Sequence, residues 1–239
     1  MRILVLGCGQ GGTCLLVEVL RGLSLVKFSG YVEDRNFLNY NSLPENYGTK
    51  LTTDATEKLT IDNFWDVPQK LINCMDKYKD LHVVFSLRHP VDVFMSQLVR
   101  GQRQVDGGDT EGLSDTGTPW GGILAIAHAA MTLDWIKRYF PERLLCIKME
   151  DLVLRPRTTL VKIAKYFNVE VTDQAREFYK YNRNRYQKER YGDKLDKSVV
   201  GIHKKYKTWN NGFFKEKEGY LYFATICLSG IMQSWGYKL

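Results

Sequence analysis

The chain has 239 residues, 44% of them apolar, and a formal net charge of +7. That length holds one full hydrophobic core, and the apolar share excludes a disordered chain. The positive balance points to anionic ligands rather than cationic ones, and no apolar run reaches the length of a membrane span.

Arg2-Ile3-Leu4-Val5-Leu6 reads as a buried parallel strand. A glycine-rich turn, Gly7 to Gly12, follows it, and from Thr13 onward Leu15, Leu16, Val19 and Leu20 have helical spacing. Strand, glycine turn and helix aim backbone N–H groups and the positive end of a helix dipole at an anion. Leu25 to Val32 suggests a second strand ending in Glu33-Asp34-Arg35, whereas 39–62 is polar and turn-rich and yields no element. A helix over about 64–78 leads to a strong strand, His82-Val83-Val84-Phe85-Ser86-Leu87. That strand runs into Arg88-His89-Pro90, and Pro90 suits the first turn of a helix carrying Val93, Phe94, Gln97 and Leu98.

Residues 101–118 are rich in glycine and acids and are expected to form a mobile loop bordering a substrate entrance. A long helix from about Gly121 to Tyr139 is expected, with Leu124, Ala127, Met131 and Trp135 on one apolar face. Leu144-Leu145-Cys146-Ile147-Lys148 is a further buried strand, Pro156 opens a helix, and Thr172-Asp173 caps another. Positions 180–207 are basic with interleaved tyrosines, and a helix bearing Tyr220, Phe223, Ala224, Cys227, Leu228 and Ile231 follows. Strands alternating with helices predict one α/β domain over 1–239, with a mainly parallel central sheet flanked by helices and a basic helical part over about 172–239. The five cysteines are odd in number and lack paired metal spacing, which suggests reduced thiols and no metal. With no signal-peptide pattern at the start, a cytoplasmic location is expected.

The first loop matches more than one anion site. Gly7-x-Gly9-x-x-Gly12 fits the dinucleotide fingerprint, and Glu33, 21 residues beyond Gly12, is where a ribose-binding acid would sit. A nucleoside-triphosphatase loop fits less well, because Thr13 occupies the position of its required lysine.

Further segments carry a resemblance to one family. Arg88-His89-Pro90-Val91-Asp92-Val93-Phe94-Met95-Ser96 resembles the sulfotransferase signature Arg-Asp-Pro-Arg-Asp-x-x-x-Ser. Gln10-Gly11-Gly12-Thr13-Cys14-Leu15-Leu16 is similar to that family's Arg/Lys-Ser-Gly-Thr-Thr-Leu-Leu loop. Lys148-Met149-Glu150-Asp151-Leu152 is similar to its Tyr-Glu-Asp-Leu segment, and Trp235-Gly236-Tyr237 to its Leu-Gly-Tyr segment. The matches occur in family order from residue 3 to 237.

The resemblance implies a P-loop-like sulfotransferase fold and transfer of a sulfuryl group from 3′-phosphoadenosine 5′-phosphosulfate (PAPS) to a hydroxyl, without a metal. It assigns Gly9, Gln10, Gly11, Gly12, Thr13 and Cys14 to the 5′-sulfate and phosphate, and Arg88 and Ser96 to the 3′-phosphate. It sets Lys204 and Lys205, in the basic loop 201–209, over the 3′-phosphate and adenine. Glu33-Asp34-Arg35 resembles the Glu-x-Arg of tyrosylprotein sulfotransferases, which makes Glu33 the candidate base. Lys50 resembles a lysine that stabilises the transition state. The chain departs from the pattern at three positions: Gln10 replaces a cation, Cys14 a threonine and His89 an aspartate. Of the histidines, His203 is an outside candidate for the base and His128 reads as structural. The implied partner is a small-molecule, glycan or peptide hydroxyl acceptor. Two readings remain beside it: an NAD(P)-dependent oxidoreductase using the glycine fingerprint, and a non-catalytic nucleic-acid-binding protein using the basic, tyrosine-rich stretch.

Overall fold

The computed structural model describes residues 1–9, 11–29, 37–39, 42–53, 65–106, 118–178 and 218–238. Among these, five strands form one sheet in which every pairing is parallel: β1 (Arg2–Gly7), β2 (Lys27–Phe28), β3 (Tyr47–Thr52), β4 (Leu81–Leu87) and β5 (Leu144–Lys148). Their order across the sheet is β2-β3-β1-β4-β5.

Helices cover both faces, so the central strands carry apolar residues at nearly every position rather than at alternate ones. Leu4, Leu6, Leu51, Val83 and Phe85 face one layer, formed by α2 (Asp66–Lys77), α3 (Pro90–Asp106), α4 (Pro119–Tyr139) and a later helix, Glu218–Ser234. Ile3, Val5, Val84, Leu145 and Ile147 face the other, where α1 (Thr13–Gly22), α5 (Met149–Leu154), α6 (Pro156–Phe167) and α7 (Asp173–Arg176) pack. The helix over Glu218–Ser234 is α8.

Local signals set the helix starts. Pro90 and Pro156 are the first residues of α3 and α6, where a missing N–H costs nothing. Thr172 caps α7, its hydroxyl accepting from the Ala175 N–H at 3.0 Å, and Thr118 caps α4 in the same way.

The structure corrects four expectations. The second strand is two residues long, not eight. The stretch that yielded no element contains β3, next to β1 at the centre of the sheet. Residues 101–106 continue α3, so the expected loop can span only 107–117, which lie outside the described residues. In α4 the buried side chains are those of Ala125, Ile126, Ala129, Leu133 and Ile136, while Leu124 is 39% exposed. This helix is apolar almost all round, so periodicity could not choose its inner face. Packing chose the face with the small residues, which lets α4 approach α3 closely: a Cβ on Gly122 would meet the Phe94 ring at 3.1 Å.

The strand order bears directly on the dinucleotide reading. In that fold the strand after the first helix lies beside β1, which brings the acid at its end to the ribose. Here β3 separates β2 from β1. The end of β2, which leads toward Glu33, is therefore two strand spacings from the glycine loop, or about 10 Å.

Candidate functional site

In an open parallel sheet the ligand crevice lies beyond the carboxyl ends of the strands, where the order of connections reverses. That point is between β1 and β4: the chain leaving β1 returns to β2 and β3 on one side, and the chain leaving β4 goes to β5 on the other. The glycine loop after β1 and Arg88 after β4 both occupy this edge.

The loop is fastened on three sides. The Thr53 N–H donates to the Gly7 carbonyl at 3.0 Å from the end of β3. Ser86, in β4, donates its hydroxyl to the Gly11 carbonyl. From α3, Gln97 Nε2 donates to the Gly9 carbonyl at 3.3 Å and lies 3.5 Å from Cys8 Sγ. Within the loop the Gly11 N–H turns back to the Cys8 carbonyl at 2.9 Å. Gly12 has φ +89°, a left-handed conformation, and a Cβ there would lie 2.6 Å from the Met149 thioether. Gly12 is also the N-cap of α1 and offers no side chain, so the first-turn N–H groups of α1 have no side-chain cap. A braced backbone and amides at a helix start together make a cradle suited to oxyanions.

Two cations border it. Lys50 is in β3 and only 2% exposed, yet its Nζ lies 3.3 Å from Cys14 Sγ in the first turn of α1. An ammonium buried at the positive end of a helix suits a site that receives negative charge. Arg88 follows the last residue of β4 and is partly exposed. Ser96 is on α3, also partly exposed, one position before Gln97. Thr13 is buried at the start of α1 and Cys14 is partly exposed beside it. The structure thus brings Gly9, Gly11, Gly12, Thr13, Cys14 and Lys50 together, with Arg88 on the same sheet edge. Gln10, Glu33, Lys204 and Lys205 lie outside the described residues, as do His203 and the basic stretch 180–209. His128 is fully buried in α4, as a structural residue would be. His82 is at the opposite, amino end of β4, where its Nδ1 is 3.0 Å from the Tyr166 hydroxyl.

Three of the motif segments meet in a second cluster next to the cradle. Glu150 accepts the His89 N–H at Oε1 and the Tyr237 hydroxyl at Oε2, each at 2.8 Å. Lys148 Nζ donates to the Gly236 carbonyl at 2.7 Å and lies 4.3 Å from the centre of the Tyr237 ring. The His89 and Tyr237 rings meet edge to face at 5.0 Å. These contacts clamp residues 236–238 against the start of α3, and with it the backbone that carries Arg88.

Burial pushes the His89 imidazole down to about 4, and the Arg88 and Lys148 charges add to the effect. The folded protein therefore holds this ring neutral. Its contribution to stability is complete above the unfolded histidine value of about 6.5 and is lost as pH falls toward 4. The melting temperature is expected to drop over that window, and His89→Asn to flatten the drop, measured by thermal melts from pH 7 to 4.5. Equal slopes in the two proteins would remove His89 as the cause.

No protein-family model matches the chain, and no curated protein does. Solved structures do. A mouse sulfotransferase complexed with PAP is 16% identical, with 95% of this chain and 84% of that chain covered and a TM-score of 0.56. A sulfotransferase from Alicyclobacillus acidocaldarius is 13% identical, with 99% and 96% covered and a TM-score of 0.52. A sulfotransferase domain from the curacin biosynthetic pathway is 18% identical, with 74% and 77% covered and a TM-score of 0.50.

The chain has the sulfotransferase fold. This agrees with the α/β class and parallel sheet expected from the sequence, and it removes the dinucleotide fold that the glycine fingerprint had kept open. Among the described residues no helix is long and apolar enough to cross a membrane, and no group of three His, Cys, Asp or Glu side chains could hold a metal ion. Sequence reasoning missed Ser86 and Gln97, which hold the loop, and Glu150 and Tyr237 as a bonded pair. Ser86 and Gln97 were each visible as a polar residue inside an apolar pattern.

Proposed function

We propose that this protein is a sulfotransferase that uses PAPS and a hydroxyl acceptor. The observation that carries this reading is the cradle itself: a braced glycine loop at the strand switch point, with a buried lysine beneath it, on the sulfotransferase fold. The residues present fit the group. Phosphate and sulfate oxygens accept hydrogen bonds and carry negative charge, and the cradle offers amide N–H groups, the Thr13 hydroxyl, an ammonium and a guanidinium. PAPS, when bound, supplies a sulfuryl group whose bond to the 5′-phosphate oxygen breaks as a bond to the acceptor oxygen forms.

This chain's residues then have separate tasks. Gly11, Gly12 and the start of α1 hold the 5′ end by backbone donors, and Arg88 with Ser96 holds the 3′-phosphate. Lys50 supplies the charge that Gln10 does not. Glu33 is the base proposed to take the acceptor's proton, and Lys204 and Lys205 are proposed to close over the nucleotide. By analogy with phosphoryl transfer, positioning and electrostatics carry the catalysis and no metal is needed. Peptide tyrosine, glycan and small alcohol are the acceptor classes proposed, in a reducing cytoplasmic setting.

Thermal melting with nucleotides tests the reading. A ligand present at a hundred times its Kd stabilises by about 2.7 kcal/mol, which for a chain of this size raises Tm by about 5–10 °C. Adenosine 3′,5′-bisphosphate (PAP) is expected to give such a shift and NAD(P) none, and radiolabelled sulfate is expected to pass from PAPS to a hydroxyl acceptor. A shift with NAD(P) alone would reject the proposal.

A further inference from the structure

Two polar atoms beside the loop are buried without a hydrogen-bond partner among the described residues: Thr53 Oγ1 and Gln97 Oε1. Each belongs to a residue that already grips the loop with another atom, Thr53 through its backbone N–H to Gly7 and Gln97 through Nε2 to Gly9. Gln97 is the more informative, because its side chain is 3% exposed and its two ends are chemically different.

The Gly9 carbonyl fixes which end faces it. Turning the amide would set two carbonyl oxygens against each other, so the nitrogen holds the loop and the oxygen is left over. A buried carbonyl without a donor is destabilising, and such atoms are uncommon in folded proteins. The neighbouring helix cannot supply a donor. A Cβ on Gly122 would lie 3.3 Å from this oxygen, but the Gly122 N–H is bonded to the Thr118 carbonyl and the Gly121 N–H to the Thr118 hydroxyl. The same Cβ would also touch the Phe94 ring, which has nothing to donate.

The Gly121 and Gly122 N–H groups are thus engaged elsewhere, which leaves the oxygen open to a donor that a ligand brings. Resting on the PAPS reading above, the sulfate and phosphate oxygens that would face Gly9 to Thr13 are acceptors and repel another acceptor. The group that satisfies Gln97 there is the hydroxyl that receives the sulfuryl group. We infer that Gln97 Oε1 accepts a hydrogen bond from the acceptor's reacting hydroxyl and orients it toward the sulfur. Gln97 is then an acceptor-positioning residue on α3. Its amide is too weak a base to take the proton. As the acceptor O–S bond forms and the S–O bond to the 5′-phosphate breaks, the proton passes to a separate carboxylate base and the electron pair leaves with the phosphate oxygen.

The test compares the wild type with Gln97→Met, which keeps the volume and removes both polar ends. PAP binding is measured by titration. Transfer of labelled sulfate from PAPS is measured with four acceptors: 2-naphthol, benzyl alcohol, N-acetylglucosamine and a tyrosine-containing acidic peptide. For every acceptor the wild type uses, kcat/KM is expected to fall at least tenfold, mostly through KM. Loss of the Nε2 bond to Gly9 is expected to raise the Kd for PAP by much less than kcat/KM falls, the pH–rate midpoints to be unchanged, and Tm without ligand to stay within about 3 °C. Gln97→Leu takes its place if Gln97→Met does not fold. Wild-type kcat/KM in the variant overturns the inference, as does a loss of PAP affinity with unchanged acceptor KM. A wild type that binds PAP but uses none of the four acceptors also overturns it. Failure of the wild type to bind PAP rejects instead the reading on which it rests.

Discussion

Lys50→Met is expected to lower kcat by two to three orders of magnitude while changing the KM for PAPS less than fivefold. The expectation follows from where the lysine is. Its stem is buried in β3, and its ammonium lies against the first turn of α1 rather than in solvent. On the proposed function, charge at that point would meet the group in transfer, and a donor aimed at developing charge is worth a hundredfold to a thousandfold in rate, or about 2.7–4 kcal/mol. Gln10 gives the loop no charge of its own, so Lys50 is expected to carry more of the effect. An interaction made mainly in the transition state lowers kcat and leaves ground-state binding nearly intact. Methionine keeps most of the stem's volume, which limits the packing loss. Steady-state kinetics and PAP-induced melting shifts measured on the same preparation separate chemistry from folding. A kcat within threefold of wild type, with PAP binding retained, would make Lys50 a structural residue.

The same lysine explains why part of the site was hidden in the sequence. β1, β4 and β5 were legible because strands buried on both faces become apolar runs. β3 is buried as well, but it carries Thr49, Lys50 and Thr52 with Thr53 just after it, and such a run resembles a polar loop. Those residues are polar because this strand ends at the cradle: Thr53 holds Gly7 and Lys50 reaches Cys14. The chemistry that makes the strand useful removes the hydrophobic pattern that would announce it. Gln97 is the opposite case. It lies in the apolar stripe of α3 with Val93, Phe94 and Leu98, so it was read as part of a buried face without a role. The glycine loop and Arg88 were legible because backbone geometry and a permanent charge leave marks that need no tertiary information. Glu150 was legible only through resemblance, since its partners, His89 and Tyr237, are 61 and 87 residues away.

Arg88→Ala is expected to weaken PAP binding about a hundredfold, equivalent to about 2.7 kcal/mol. A guanidinium at the end of a strand presents a flat, permanently charged set of donors that matches a phosphate. The backbone on either side is held: β4 pairs Leu87 with Lys148, and the next residue, His89, is tied through its N–H to Glu150. Little backbone entropy is therefore lost when Arg88 engages a ligand. Arg88→Lys should recover part of the affinity, because it restores charge without the fork. Ser96→Ala should cost less, about fivefold, since it removes one neutral hydroxyl. The decisive measurement is a cycle of two proteins and two ligands, PAP and 5′-AMP, by calorimetric titration. If Arg88 holds the 3′-phosphate, the wild type prefers PAP strongly and Arg88→Ala loses most of that preference, while both proteins bind 5′-AMP alike. An equal loss for both ligands would place Arg88 on the 5′ end instead, and an unchanged Kd for PAP would remove it from the nucleotide site.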